Sequence, residues 1–154
     1  MLVLMRRIKA SSKSLNLLDL VVVLLAVLFL YAALSKLLTL DEFRVQISKS
    51  PLITRHSWWL AWLVPISEVV ISLMLFIPRL QLIGLYGSFL LMFAFTVYIG
   101  FMLAFVPNLP CSCGGILNNM GWSQHLAFNI CFTLLAVLGI VLLNKARSQE
   151  EHKN

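Results

Sequence analysis

Charged side chains are scarce in this sequence. Only 12% of the 154 residues are charged and 60% are hydrophobic, whereas a soluble domain usually has about 25% charged residues. This deficit excludes an ordinary water-exposed surface and indicates that lipid covers much of the chain. The net charge of +6 does not indicate a nucleic-acid partner, because the basic residues flank apolar runs, where membrane proteins carry them.

Cysteine is also scarce, since the chain has three, too few for a disulfide scaffold. Cys111 and Cys113 are one residue apart in a polar segment, whereas Cys131 lies inside an apolar run. We therefore expect different roles for them. Cys131 is interpreted as a small buried hydrophobic residue, with a relay cysteine beneath the polar segment as the alternative.

In place of charge, the sequence has four long apolar runs. They cover residues 17–35, 58–77, 82–105 and 126–143. Each is close to the ~20 residues that a helix needs to cross ~30 Å of hydrocarbon, and strands would show alternating segments of ~10 residues instead. The sequence predicts an all-α, four-helix transmembrane bundle that forms a single domain over residues 1–154. Ser123 is the predicted N-cap of the fourth helix.

The first run has a second interpretation, because Arg6, Arg7 and Lys9 precede it as they would precede a signal peptide. The run is longer than a typical hydrophobic region of a signal peptide, which is about 7–15 residues. It also continues into Ser35-Lys36 without a convincing small-residue cleavage site. A membrane-spanning helix is therefore the favoured interpretation.

The distribution of basic residues predicts the orientation of the bundle. Eight lie on the side shared by both termini: Arg6, Arg7, Lys9, Lys13, Arg79, Lys145, Arg147 and Lys153. Four lie on the other side, all in the first loop: Lys36, Arg44, Lys49 and Arg55. The positive-inside rule then predicts cytoplasmic termini. In the inner membrane of a bacterium, the Cys111–Cys113 loop of this multi-pass protein would face the oxidising periplasm.

That loop reads Pro-Cys-Ser-Cys-Gly-Gly over residues 110–115. Cys111 and Cys113 are within reach of each other, and His125 at the start of the fourth helix favours the reactive thiolate form. A disulfide closed across one residue is a tight ring, and strain makes a disulfide more oxidising. This pattern favours a loop that accepts electrons from a thiol partner.

Two other interpretations of the loop stay open. The pair could form a static disulfide that only braces the loop. Alternatively, Cys111, Cys113, Met120 and His125 are soft ligands suited to Cu(I). No second cysteine pair in the sequence completes a zinc or iron–sulfur site, so no resident metal is predicted.

Glu68 lies near the middle of the second run, three residues after Pro65. Carboxylates at this depth are costly and usually face the bundle interior, so a functional role in proton handling is favoured. The alternative is a structural hydrogen bond to Tyr31 or Tyr98. Lys36 is expected to extend outward to the membrane interface, with inward pairing to Glu68 as its alternative.

The chain resembles the MauE branch of the DoxX-like membrane proteins, over roughly residues 15–145. The features that carry this resemblance are Ser35-Lys36, Pro65, Glu68, the Pro-Cys-Ser-Cys-Gly-Gly loop and Gly121-Trp122. The resemblance implies a redox-associated membrane protein that supports disulfide formation in an exported partner. The helix arrangement is more loosely similar to vitamin K epoxide reductase-type enzymes, which pass electrons to quinone, but their intramembrane Cys-x-x-Cys is missing.

These observations together predict a membrane thiol–disulfide redox protein. Its expected catalytic residues are Cys111, Cys113, Glu68 and His125. Its expected partners are the lipid bilayer and an exported thiol-containing protein, with a quinone as candidate electron acceptor and no tightly bound cofactor. The alternatives are a non-catalytic membrane assembly factor and a Cu(I)-handling membrane protein.

Overall fold

The computed structural model describes residues 12–48, 57–105 and 121–151. Over these ranges the chain forms helices and no strand: α1 (Ser12–Leu38), α2 (Leu40–Ser48), α3 (Ser57–Phe76), α4 (Gln81–Phe105) and α5 (Trp122–Glu151). Four helices contain a segment long and apolar enough to cross a membrane: Leu17–Leu38, Trp58–Phe76, Gln81–Phe105 and Ser123–Gln149. The prediction of an all-α bundle with four membrane helices is confirmed. The side that each terminus faces stays a prediction.

The four long helices form a ring in which each packs on two neighbours. α1 contacts α3, α3 contacts α4, α4 contacts α5, and α5 closes the ring on α1. Pro78 cannot donate a backbone hydrogen bond and ends α3, and the tight turn closes where Leu80 N–H donates to the Ile77 carbonyl at 2.9 Å. Successive long helices therefore run in opposite directions.

This topology gives the bundle two ends with different residues. At one end α1 and α4 finish and α3 and α5 begin; we call the part of the bundle at this end the Lys36 half. At the other end α5 approaches its neighbours closely, and we call that part the Gly139 half. A Cβ built on Gly139 would lie 2.8 Å from Leu85 Cδ2 and 3.1 Å from Val21 Cγ1. A side chain at this position, where α1, α4 and α5 meet, would therefore require Leu85 to move.

The outer faces of the helices are apolar, as expected for a surface covered by lipid. Val27, Leu90 and Leu134 are all more than half exposed. The buried core is apolar too, and its members are Leu18, Val21, Val22, Leu25, Ala26, Phe29, Leu75, Leu85, Met92, Ala136 and Leu143. Because both the outer faces and the core are apolar, the few buried polar groups are the ones that indicate a functional site.

One local feature was not predicted, and one local prediction is wrong. The first loop contains a helix, α2, which packs against α3; Asp41 and Glu42 in its first turn suit the positive end of the helix dipole. α5 begins at Trp122, so Ser123 lies inside its first turn and is not the N-cap. Gly121 N–H instead donates to Gln124 Oε1 at 3.1 Å, the backward half of a capping box.

Candidate functional site: a buried ion pair in the Lys36 half

Glu68 lies deep inside the bundle. It is eleven positions after Ser57, the first residue of α3, which corresponds to about 16 Å along the helix axis. That is roughly half of the ~30 Å hydrocarbon thickness. The side chain is only 1% exposed, and Pro65, one turn earlier, removes a helical hydrogen bond beside it. The prediction that this carboxylate faces the bundle interior agrees with this burial.

Lys36 pairs directly with Glu68. Its Nζ donates to Glu68 Oε1 at 2.7 Å and to the Ala32 carbonyl at 3.4 Å. Helical side chains tilt toward the N-terminus of their helix, so a lysine near the end of α1 can reach back into the bundle. The favoured expectation that Lys36 extends outward is therefore wrong, and the inward alternative describes the structure. The partner of Glu68 is a lysine and not one of the two tyrosines considered from sequence.

Aromatic rings from two further helices flank the ammonium group. Lys36 Nζ lies 5.8 Å from the ring centroid of Phe43 in α2 and 5.7 Å from that of Phe95 in α4. Both distances are within the range of cation–π attraction. Since Glu68 belongs to α3 and Lys36 to α1, four helices contribute to this one charge. The short helix α2 is thus part of the site.

His125 stands in the first turns of α5 at the same end of the bundle. Its side chain is half-buried there. His125 Nδ1 is buried and has no hydrogen-bond partner among the described residues, and the same holds for Glu68 Oε2. The site therefore contains an ion pair and two buried polar atoms that find no hydrogen-bond partner within residues 12–48, 57–105 and 121–151.

A line of polar side chains continues from His125 toward the middle of the bundle. Asn129 Nδ2 donates to the His125 carbonyl at 2.9 Å, and Thr133 Oγ1 donates to the Asn129 carbonyl at 2.7 Å. Thr96 in α4 faces this line, with its hydroxyl 3.3 Å from that of Thr133. We call these four residues, His125, Asn129, Thr133 and Thr96, the polar seam.

The cysteines divide between described and undescribed parts of the chain. Cys111 and Cys113 lie outside the described residues, so the exchange role predicted for them stays a prediction. Cys131 is described, carries no disulfide, and is exposed on α5. The expectation that it is buried is therefore wrong, because it lies on the outward face next to the exposed Ile130. A relay role for Cys131 inside the bundle gains no support from that position.

Metal binding gains no support from the part of the chain that the structure describes. Within it, no three residues of the types His, Cys, Asp and Glu come together. Three of the four soft ligands considered for Cu(I), namely Cys111, Cys113 and Met120, lie outside it.

Sequence reasoning identified two members of the site, Glu68 and His125, and considered the pairing of Glu68 with Lys36 only as an alternative. It missed Phe43, Phe95 and Thr96. For the polar face of α5 a signal was available, because His125, Asn129 and Thr133 follow one another at intervals of four residues. No pattern in the sequence marked the two phenylalanines, which lie in different helices.

The fold and the ion pair define a four-helix membrane protein with a charged pair in its interior. Residues 14–142 match the family model described as methylamine utilisation protein MauE. Because the match covers most of the chain, the protein belongs to the MauE family. This confirms the MauE part of the resemblance and indicates a multi-pass membrane protein of methylamine utilisation; the wider DoxX-like link stays a prediction. Comparison with curated proteins and with solved structures finds no significant match.

Proposed function

We propose that this protein is a thiol–disulfide redox protein of the bacterial inner membrane, with Cys111 and Cys113 as the exchanging pair. The observation that carries the proposal is the position of their segment in the chain. Residues 106–120 join the end of α4 to the start of α5. The segment therefore begins and ends at the Lys36 half of the bundle, where Lys36, Glu68 and His125 lie.

The proposed exchange is balanced in electrons and protons. A thiolate of an exported dithiol protein attacks the Cys111–Cys113 disulfide and forms a mixed disulfide. The second thiol of the partner then displaces the mixed disulfide. The partner leaves as a disulfide, and Cys111 and Cys113 remain as two thiols. A quinone is the proposed oxidant for the return step, in which it takes two electrons and two protons and leaves as a quinol.

The ion pair and His125 suit this chemistry as proton-handling groups. A thiol reacts as its thiolate, so each turnover moves protons to and from groups near the cysteines. Glu68 Oε2 and His125 Nδ1 are two buried atoms that have no hydrogen-bond partner in the part of the chain that the structure describes. A thiol close to the N-terminus of α5, the helix that follows the cysteine segment in the chain, would be favoured as its thiolate.

Replacing Cys113 with Ser tests the exchange directly. We expect the Cys113→Ser variant, which cannot form the Cys111–Cys113 disulfide, to leave the exported partner reduced, visible as free partner thiols that react with a maleimide on a gel-shift assay. Cys131→Ala is the matched control, because Cys131 faces outward and should leave exchange unchanged. Normal oxidation of the partner by both Cys111→Ser and Cys113→Ser variants would contradict the proposal and favour a non-catalytic assembly factor.

Maleimide labelling of Cys111 and Cys113 reports whether they form a disulfide and which side of the membrane they face. A membrane-impermeant maleimide applied to intact cells should label Cys111 and Cys113 only after mild reductant. This result indicates a labile disulfide on the outer face, as the proposed periplasmic orientation requires. Labelling that needs membrane disruption would contradict that orientation, and immediate labelling would indicate free or metal-binding thiols instead of a disulfide.

A further inference from the structure

Two buried polar atoms in the Lys36 half call for a ligand that the side chains do not supply. Glu68 is 1% exposed; its Oε1 is paired with Lys36, but its Oε2 has no donor among the described residues. His125 Nδ1 is also buried and unmatched within the same ranges. Buried polar groups in proteins almost always find a partner, and an ordered water commonly fills that role.

The hydrogen-bonding properties of Glu68 Oε2 and His125 Nδ1 indicate which ligand suits them. A carboxylate oxygen accepts hydrogen bonds, while an imidazole nitrogen accepts or donates according to its tautomer. Water does both, is small, and needs two to four polar partners in a buried site. The polar seam supplies further partners, because Thr96, Asn129 and Thr133 place hydroxyl and amide groups on the inner surface of α4 and α5.

The polar seam extends to the same depth in the bundle as Glu68. Thr133 is eleven positions after Trp122, the first residue of α5, which puts it about 16 Å along the helix. Glu68 is equally far from the start of α3. The seam therefore runs from the start of α5 to the depth of the carboxylate. The next buried residues along α4 and α5 beyond Thr96 and Thr133 are apolar, namely Met92 and Ala136.

We propose that water occupies the polar seam, enters from the Lys36 end of the bundle, and hydrogen-bonds to Glu68 Oε2 and His125 Nδ1. This water solvates the ion pair at mid-membrane depth and ends at the apolar layer below Thr133. It provides a path along which protons exchange between one membrane surface and Glu68. The inference stands on the geometry of the described residues and holds whether or not Cys111 and Cys113 exchange disulfides.

Cysteine accessibility tests the proposal in the full-length protein. The background variant lacks native thiols (Cys111→Ser, Cys113→Ser and Cys131→Ala), and Thr133→Cys is introduced into it. Membrane vesicles are treated with Ag⁺, and the remaining thiol is counted by maleimide labelling after denaturation. We expect Thr133→Cys to react roughly tenfold or more faster than the controls, because a thiol reacts through its thiolate, which water stabilises and hydrocarbon does not.

Two neighbouring positions serve as matched controls. Leu134 is next in sequence but 64% exposed on the outer face, and Ala136 is buried one turn deeper in the apolar layer. Leu134→Cys and Ala136→Cys should both react slowly. Thr96→Cys, on the facing helix, repeats the measurement in case Thr133→Cys folds poorly. Equal rates at seam and control positions, whether slow or fast, overturn the proposal.

Replacing Lys36 and Glu68 tests whether their charges retain water in the polar seam. In the Thr133→Cys background, the double replacement Lys36→Met and Glu68→Met should slow the Ag⁺ reaction to within a few-fold of the Ala136→Cys rate. Ser72→Ala is the control, since Ser72 is a buried neutral residue whose hydroxyl donates to the Ala26 carbonyl at 3.0 Å. An unchanged rate in the double variant overturns the inference. Because the background lacks the exchanging cysteines, neither result depends on the proposed redox function.

Discussion

The two halves of this bundle treat buried polar groups differently. In the Gly139 half the buried polar side chains are neutral and bond to backbone carbonyls. Ser88 donates to the Gly84 carbonyl at 2.8 Å and Gln81 to the Leu75 carbonyl at 3.4 Å. In the Lys36 half the buried Asn129 and Thr133 follow the same pattern, but a buried carboxylate, Glu68, is added, paired with the part-buried ammonium of Lys36. Two buried atoms there have no partner among the described residues.

The Gly139 half therefore serves mainly to pack the helices together. The Lys36 half contains charges whose burial lowers the stability of the protein. Neutral groups satisfied by their own backbone impose little penalty in a membrane. Taking two charges out of water costs several kcal/mol per ion, which the attraction between them repays only with good geometry. An ion pair such as Lys36 and Glu68 is thus weak evidence for stability and stronger evidence for function.

The largest expected loss of stability follows from removing one partner of the Lys36–Glu68 ion pair. We expect Lys36→Met to destabilise the protein by about 3–5 kcal/mol, because it leaves the buried Glu68 carboxylate uncompensated. Unfolding in mixed micelles, followed by circular dichroism, measures the change. The double variant with Glu68→Met should recover most of the loss, since replacing a buried pair by apolar residues of similar size is often neutral. A Lys36→Met variant as stable as the wild type would show that the variant does not bury an unpaired Glu68 carboxylate.

The second largest expected loss of stability comes from disturbing the helix packing in the Gly139 half. Gly139→Leu should destabilise the bundle by about 1–3 kcal/mol, the usual cost of overpacking, because even a Cβ would lie 2.8 Å from Leu85 Cδ2. Gly100→Leu is the matched control: it is another helical glycine, and a Cβ there would meet nothing within 4 Å. Equal effects at the two glycines would mean that helix propensity, and not close approach, governs the loss.

The four membrane helices could be predicted because hydropathy and length alone decide whether a segment spans a bilayer. The direction of Lys36 could not be predicted, because a lysine near a helix end can reach the interface or the interior. Its inward position depends on Glu68, Phe43 and Phe95, which come from three other helices. The side that Cys131 faces could have been predicted, because Cys131 is two residues from both Asn129 and Thr133 and so lies opposite the polar face of α5.

The third effect is a small one in the polar seam, where α4 meets α5. Thr96→Val and Thr133→Val together should show a coupling energy of about 0.6 kcal/mol, the average for hydrogen bonds between membrane helices. The two hydroxyls are 3.3 Å apart, and each also bonds to a backbone carbonyl. A double-mutant cycle on unfolding free energies isolates the pairwise part. A coupling near zero would leave Thr96 and Thr133 bonded only to their own helices.

The smallest effect belongs to Cys131, and it distinguishes the outward face of α5 from the polar seam on its inward face. Cys131→Ala should change the free energy of unfolding by no more than about 0.5 kcal/mol, as for most exposed positions. Asn129→Ala, two residues earlier but buried, removes a side chain that donates to the His125 carbonyl at 2.9 Å and should cost more. Both are measured in the same micelles. A larger loss for Cys131→Ala than for Asn129→Ala would mean that α5 turns Cys131 inward and Asn129 toward lipid, and the polar seam would then not line the bundle interior.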